Sequence, residues 1–492
     1  MKRPIIWSIS GADCSGGAGI AADIKTGHQL GVEVCHLITA NTVQNSNTLV
    51  SVNPVEVEIL QQQLDTLVED KPPAVVKIGL LVNPEQLAWL CRALRSLKQA
   101  LPQLTVVYDP VAQASVGGRF STLSRAGLSQ LLPLVDVITP NLLEAQTLSG
   151  IKTKDAGRLA NAIAQLGVNS VIIKGGHNED HNCIDYCLHR LKTKEAVSYQ
   201  LTSTRVYTSH SHGGGCSFAS AIASLMAKGF LLRDAFTLTK AFINQGLKAH
   251  QGAMDYYGAF DQLGFPKQAE DFPKVSSELA SRYSDLPAFQ SLRLGNKLGL
   301  YPVVDSIAWL EKLLPLGLEI IQLRLKNYAQ EALDDLIAQA VELCRDSNTR
   351  LFINDYWQLA IKHGAYGVHI GQEDLQEADL QQIQQAGLRL GISTHGCYEF
   401  LLAQQLKPSY LAIGAIFATK TKDMTGQIQG LDNLKQILTL AENIPVVAIG
   451  GINLERAPQV WQTGVDSLAV VTAITEAEDP NQAVRDFQVI ME

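Results

Sequence analysis

Charged side chains of either sign are sparse in this chain, and so are aromatics. They make up 18% and 6% of the 492 residues. The 40 basic residues are outnumbered by 48 acidic ones, for a formal net charge of −8. That balance argues against nucleic acid or an anionic membrane as partner. No apolar run reaches the roughly 18 residues of a membrane helix. No signal-peptide cleavage pattern follows Met1-Lys2-Arg3-Pro4. The eight cysteines are scattered and form no framework, which fits reduced thiols and a cytoplasmic enzyme. The sequence leaves room for a homo-oligomer.

What is present is a hydrophobic content of 46% and enough length for two domains of about 100–200 residues or somewhat more. From Ile5 to about Gly252, short apolar runs alternate with amphipathic segments. Ile5–Ser10, Val34–Thr39, Val75–Ile78, Thr105–Asp109, Val135–Thr139 and Ser170–Lys174 read as strands, Pro84–Gln99 and Asp155–Leu166 as helices. Continuous apolar strands between helices predict a mostly parallel sheet covered on both faces. The rhythm fails over residues 265–297, rich in Pro and Ser, and a linker is expected there. A faster rhythm follows: Leu300–Val304, Glu319–Arg324, Arg350–Ile353, Gly367–Ile370, Arg389–Ser393, Tyr410–Gly414, Val446–Ile449 and Ser467–Val471. Eight βα units over residues 298–492 predict a compact TIM (β/α)8 barrel, with its site at the C-terminal strand ends.

In the first half, Ser10-Gly11-Ala12-Asp13-Cys14-Ser15-Gly16-Gly17-Ala18-Gly19 joins a strand to a helix. Alone it reads as readily as a tight turn as a ligand loop. Asp109-Pro110 ends another strand. Asn141 and Glu144 lie three apart on a first helical turn, where both could face hydrated Mg²⁺. Lys174-Gly175-Gly176-His177 places an ammonium at a strand end. His212-Gly213-Gly214-Gly215-Cys216-Ser217 runs into a helix, whose first amides suit an anion. Cys216 at that position is expected to have a lowered thiol pKa. His177, His181, Cys183, Cys187 and His189 lie close together, but their spacing fits no standard zinc finger.

These segments resemble the hydroxymethylpyrimidine and phosphomethylpyrimidine kinases of thiamine synthesis. The family's GSDxSGGAGIxADLKT loop matches residues 11–26, and its TAxTxQNT, VKxGM, VxDPV, TPNxxEA, VKGGH and HGTGC segments recur in order over about 255 residues. The resemblance implies a ribokinase-like α/β/α sandwich over 1–264 and ATP as co-substrate. It implies that Asp23 and Gln44 hold the aminopyrimidine, and that Gly213, Gly215 and Cys216 form the anion hole with Cys216 as base. Glu144 and Asn141 would serve Mg²⁺, and Lys174 the nucleotide phosphates. Gly214 stands where the family usually has Thr, and Leu80 where it usually has Met.

In the second half, Gln322-Leu323-Arg324-Leu325-Lys326 alternates, which turns two cations and an amide to one side. Two cations there call for an anion such as diphosphate. Asn354-Asp355 and Asp374 bring carboxylates to two further strand ends, an arrangement suited to Mg²⁺. Gly450-Gly451 and Val471-Thr472 follow strands seven and eight, where barrels often bind phosphate. This half resembles thiamine phosphate synthase, through the QLRxK, INDxxxxA, GxHLGQxDL, GxSTH, FxTxTK, VVAIGGI and GxxVxSAI segments. The resemblance assigns Gln322, Arg324, Lys326, Asn354, Asp355, Asp374, Ser393 and Lys422 to the pyrimidine diphosphate and its Mg²⁺. It assigns Thr419, Thr421, Gly451, Val471 and Thr472 to the thiazole phosphate.

Together the resemblances imply a bifunctional enzyme. Its substrates would be hydroxymethylpyrimidine, ATP and thiazole phosphate. Two other readings of the first half are a vitamin B6 pyridine kinase and a non-catalytic pyrimidine-binding module.

Overall fold

The computed structural model describes residues 3–45, 47–111, 121–176, 181–190, 195–292, 298–326, 328–419 and 428–492. These divide into two compact units, Met1–Ser277 and Glu278–Glu492. Among the described residues no helix is long and apolar enough to cross a membrane.

The first unit is built on ten strands: β1 (Ile5–Asp13), β2 (Glu33–Gln44), β3 (Leu49–Pro54), β4 (Val75–Ile78), β5 (Thr105–Tyr108), β6 (Val137–Ile138), β7 (Ser170–Ile173), β8 (Asn182–Arg190), β9 (Ala196–Thr204) and β10 (Lys274–Ser276). Their order is β10-β9-β8-β7-β6-β5-β4-β1-β2-β3. The six expected strands are the parallel centre, β7 to β2. The others add antiparallel at the two edges.

Alternation along β1 and β4 sorts the two faces. Trp7, Ile9, Val76 and Ile78 join a buried cluster with Leu60, Leu87, Leu94 and Leu159 from helices on one side. Ser8 and Lys77 point the other way, toward helices Gly19–Gln29 and Gly214–Ala227, which carry Asp23 and Ser220. Helices on both faces make this an α/β/α sandwich, the layering expected of a ribokinase-like fold.

The second unit holds β11 (Gly299–Val304), β12 (Ile320–Leu323), β13 (Arg350–Asn354), β14 (Gly367–Ile370), β15 (Arg389–Thr394), β16 (Tyr410–Ile413), β17 (Val446–Ile449) and β18 (Ser467–Val470). They pair in sequence, all parallel, and β18 closes on β11. Each matches an expected strand to within a residue or so. The interior is packed by Tyr301, Phe352, Tyr410, Ala412, Val447 and Ala469. A Cβ on residue 391 would lie 2.2 Å from the Tyr410 ring, so only glycine admits that aromatic.

Parts of the stretch expected as a linker belong to one unit or the other. Lys274–Ser276 pairs with β9. Leu286, Phe289 and Leu292 are buried, and the Phe289 amide donates to the Lys407 carbonyl at 3.0 Å. Isolated apolar residues in a Pro- and Ser-rich context show no periodicity, yet each still requires cover.

Candidate active sites

At the end of β1 the Gly-rich loop folds round Asp13. Its carboxylate accepts from the amides of Ser15 (2.9 Å), Gly17 (3.2 Å) and Ala18 (2.9 Å), and bonds His212 Nε2 at 2.8 Å. Burial raises its pKa, but the bonds from His212, Ser15 and Ala18 outweigh that and hold it far below the usual carboxylate range. These three amides are therefore turned inward on a carboxylate, so the loop shapes the site more than it cradles an anion.

Helix Gly214–Ala227 starts at Gly213, whose φ is +81°. A Cβ there would fall 1.9 Å from the Gly17 carbonyl oxygen, so the helix start and the loop touch backbone to backbone. Gly215 lies beside Lys174 and Asp109: a Cβ on it would be 3.6 Å from Lys174 Nζ and 4.0 Å from Asp109 Oδ2. Lys174 pairs with Asp109 at 2.8 Å. The positive end of the helix dipole and a lysine thus converge on one spot, where a transferring phosphoryl group would gain most. A Cβ on residue 214 would meet nothing within 4 Å. The space for the family's threonine is there, and its hydroxyl is simply missing.

Cys216 shares this neighbourhood, but its thiol is not acidified. Burial pushes its pKa up to about 11; Lys77 opposes, while Asp23 and Asp109 add to the rise. The expected lowering from the helix start is overcome by desolvation and two carboxylates. Asp23 is also placed differently from its expected role. It is fully buried, with Lys77 Nζ at 2.8 and 2.9 Å, Ser220 Oγ at 2.6 Å and Ser8 Oγ also bonded to it. Both oxygens are engaged, so Asp23 anchors a buried ion pair behind Cys216 rather than offering a free acceptor.

Asn141 and Glu144 form a reciprocal capping box: Asn141 Oδ1 accepts from the Glu144 amide at 2.9 Å and Glu144 Oε2 from the Asn141 amide at 2.8 Å. Part of their spacing is thus explained by helix initiation. Glu144 nonetheless belongs to the charged cluster. Burial raises its pKa to about 7, with Lys174 opposing and Asp109 adding to the rise. Gln44 ends β2, half-buried, its carbonyl accepting from Cys14 Sγ at 3.1 Å. Of the histidine and cysteine cluster, three members are engaged or enclosed elsewhere. His189 Nδ1 lies 2.8 Å from Ser170 Oγ, Cys183 accepts from Lys240 at 3.1 Å, and Cys187 is buried.

In the barrel, exposure rises along the β12 exit. Gln322 is buried, Arg324 half-buried and Lys326 exposed, while Leu325 is buried. Gln322, Arg324 and Lys326 therefore run from floor to mouth on one side. Asn354 ends β13, and its amide donates to Asp355. Asp355 sits at φ +65°, a left-handed conformation that costs a non-glycine residue about 1–2 kcal/mol. Burial raises its pKa and Asp374 raises it further, against the Gly371 amide, Arg324 and Asn354. Two carboxylates that repel each other at a barrel mouth fit a hard cation such as Mg²⁺. Among the described residues no three His, Cys, Asp or Glu side chains group as a metal site. A cation here would take its other oxygens from diphosphate and water.

Ser393 Oγ is 2.8 Å from His369 Nε2. Burial, then Arg324 and His395, push the His369 pKa down to about 3, so the ring is neutral. Across the mouth, Gly451 (φ +64°) packs against Phe417 and the Ala418 carbonyl, and Val471 precedes the short helix Thr472–Thr475. Thr419 is half-buried on the β16 exit. Thr421 and Lys422 lie outside the described residues.

Lys77, Asp109 and His212 in the first unit, and Tyr301, His369 and Tyr410 in the second, were not among the expected site residues. Asp109 and His212 stand in segments already singled out, and two of the others carry a signal of their own. Lys77 interrupts Val75-Val76-Lys77-Ile78 and His369 interrupts Gly367-Val368-His369-Ile370, each a lone polar residue in a fully buried strand.

The phosphomethylpyrimidine kinase family profile matches residues 13–260 and the thiamine monophosphate synthase profile residues 300–474. The thiamine-phosphate synthase of Yersinia pestis (strain Pestoides F) is 53% identical over 206 residues, 42% of this chain and 95% of its own. The pyridoxal kinase from Staphylococcus aureus is 28% identical with a TM-score of 0.47, over 56% of this chain and 98% of its own. The phosphomethylpyrimidine kinase from Clostridium difficile 630 is 31% identical with a TM-score of 0.42, over 49% and 99%. The chain belongs to the phosphomethylpyrimidine kinase family over its first half and to the thiamine-phosphate synthase family over its second.

Proposed function

We propose that the two halves carry out consecutive reactions. Residues 1–264 phosphorylate hydroxymethylpyrimidine and then its monophosphate at the expense of ATP. Residues 298–492 couple the resulting diphosphate to thiazole phosphate, releasing diphosphate and thiamine phosphate. Both work on diffusible small molecules, and we place the enzyme in the cytoplasm.

In the kinase half, Gln44 offers a donor and an acceptor to the aminopyrimidine edge. The helix start at Gly213, Gly215 and Cys216, with Lys174, receives the transferring phosphoryl group. Asp109, Glu144 and Asn141 are the oxygen ligands available to Mg²⁺, which when bound neutralises phosphate charge. With its thiol protonated at neutral pH, Cys216 acts as base only from its minor thiolate form.

In the synthase half, Arg324 and Lys326, together with Lys422, hold the departing diphosphate. Asp355 and Asp374 would hold Mg²⁺. Gln322, Asn354 and Ser393 orient the pyrimidine diphosphate. Thr419, Thr421, Gly451, Val471 and Thr472 hold the thiazole phosphate. Loss of diphosphate leaves a pyrimidine-methyl cation, and the thiazole nitrogen attacks it, so no general base is required.

The observation that carries this reading is the pairing of anion-binding features on one chain: a glycine-started helix flanked by Lys174, and a barrel mouth bearing Arg324, Lys326, Asp355 and Asp374. Purified chain with hydroxymethylpyrimidine, ATP, thiazole phosphate and Mg²⁺ is expected to form thiamine phosphate. Turnover of pyridoxal in place of the pyrimidine would favour the vitamin B6 reading.

A further inference from the structure

Beneath the charged mouth of the barrel lies a file of uncharged polar side chains, of which only the two ends, Gln322 and Ser393, have a part in the reaction as described above. Gln322 Nε2 donates to Tyr301 Oη at 3.2 Å. The Tyr301 and Tyr410 hydroxyls are 2.8 Å apart. Tyr410 Oη lies 2.7 Å from His369 Nδ1, and His369 Nε2 lies 2.8 Å from Ser393 Oγ. The five residues come from five strands, β12, β11, β16, β14 and β15. Gln322, Tyr301, Tyr410 and His369 are at most 6% exposed.

Counting protons gives the file a direction. Each phenol has one proton to donate. Tyr301 receives from Gln322, and among the described residues the other partner of its hydroxyl is Tyr410, so its own proton goes there. Tyr410 must then donate to His369 Nδ1. A neutral imidazole accepting at Nδ1 carries its proton on Nε2, and that proton goes to Ser393 Oγ. Ser393 is left with its own hydroxyl proton and with its inward acceptor position filled.

We propose that Tyr301, Tyr410 and His369 form a positioning relay that keeps the Ser393 hydroxyl donating outward, to the leaving diphosphate. This rests on the assignment of Ser393 to the pyrimidine diphosphate. Negative charge on that group grows as the carbon–oxygen bond breaks. A donor already aimed at it stabilises the transition state more than the ground state. The same ordering turns Gln322 Nε2 inward, which leaves Oε1 as the acceptor for an exocyclic amino group.

The test combines a spectrum with kinetics on the full-length chain. Long-range ¹⁵N–¹H correlation of ¹⁵N-histidine-labelled protein, with His369 identified by its loss in His369→Gln, is expected to show the Nε2–H tautomer without ligand. Tyr410→Phe should give a tautomer mixture and lower synthase kcat on the order of tenfold, less than the loss of a whole oxyanion donor, with KM for thiazole phosphate unchanged. In a Ser393→Ala background, Tyr410→Phe should cost nothing further. An Nδ1–H tautomer in the unsubstituted chain would reverse the relay and overturn the proposal. So would an equal loss from Tyr410→Phe with and without Ser393, since that marks a purely structural role. Unchanged kcat in Ser393→Ala would instead remove Ser393 from the diphosphate, and the proposal with it, whatever tautomer is seen.

Discussion

In the kinase half the lysines of the site are already paired: Lys77 with Asp23 and Lys174 with Asp109. In the synthase half the charges stand at the barrel mouth, above a floor of hydroxyls, an amide and a neutral imidazole. Both sites handle a growing phosphate anion, yet the first has sunk part of its charge into the sheet. Buried pairs of this kind are costly to break and add little when intact. Rim charges contribute little to folding and mostly to rate. The two halves should therefore fail differently when a cation is removed.

The largest expected effect is on the buried side. Lys77→Met leaves Asp23 uncompensated and should destabilise the first unit by about 3–5 kcal/mol. The unfolding midpoint should fall and kinase activity vanish while synthase activity persists. Replacing Asp23 by Leu as well should restore much of the midpoint. If Lys77→Met unfolds like the unsubstituted chain, the distinction between the halves is gone.

Arg324→Ala is the rim counterpart. Synthase kcat should drop by about 10²–10³, with the unfolding midpoint and kinase rate unchanged. A lowered midpoint would put Arg324 in the fold rather than in the chemistry.

The pH dependence sharpens the contrast. Glu144, raised to about 7, is protonated below that value. Kinase rate should fall as pH drops through about 7, and Glu144→Gln should remove this limb along with much of the rate. For stability the sign is opposite. A raised carboxylate favours the fold at low pH, and that contribution is lost as pH rises from the ordinary carboxylate range to about 7. Cys216, raised to about 11, should give a rate that still climbs above pH 8, and Cys216→Ser should flatten the climb.

The smallest effect concerns Asp355. Asp355→Gly relieves its left-handed backbone and should stabilise the second unit by about 1 kcal/mol, while lowering synthase activity. Loss of both stability and activity would mean that its carboxylate supports the fold.

The parallel core strands and all eight barrel strands were legible because apolar runs at fixed spacing leave few alternatives. The antiparallel edges β3, β8, β9 and β10 were not, since edge strands are half exposed and follow no continuous apolar run. The helix start at Gly213 and Gly215 and the strand-end position of Lys174 were legible from the glycine run and the apolar run before the lysine. The ion pair of Asp23 was not legible, because sequence shows a carboxylate but not the lysine, Lys77, that comes to it from 54 positions away. Cys216 was misjudged for the same reason: a helix start is visible in sequence, whereas the burial and two carboxylates that raise its thiol come from tertiary packing. Nothing in the sequence sets Tyr301 and Tyr410 apart from other strand aromatics, and only barrel closure joins their hydroxyls to Gln322 and His369.

The division of labour can be tested in two single-site variants. With hydroxymethylpyrimidine, ATP, thiazole phosphate and Mg²⁺, Arg324→Ala should accumulate the pyrimidine diphosphate and make little thiamine phosphate. Cys216→Ala should make thiamine phosphate at the full rate only when that diphosphate is supplied. If Arg324→Ala accumulates no diphosphate, or Cys216→Ala cannot use it, the halves are not the successive catalysts described.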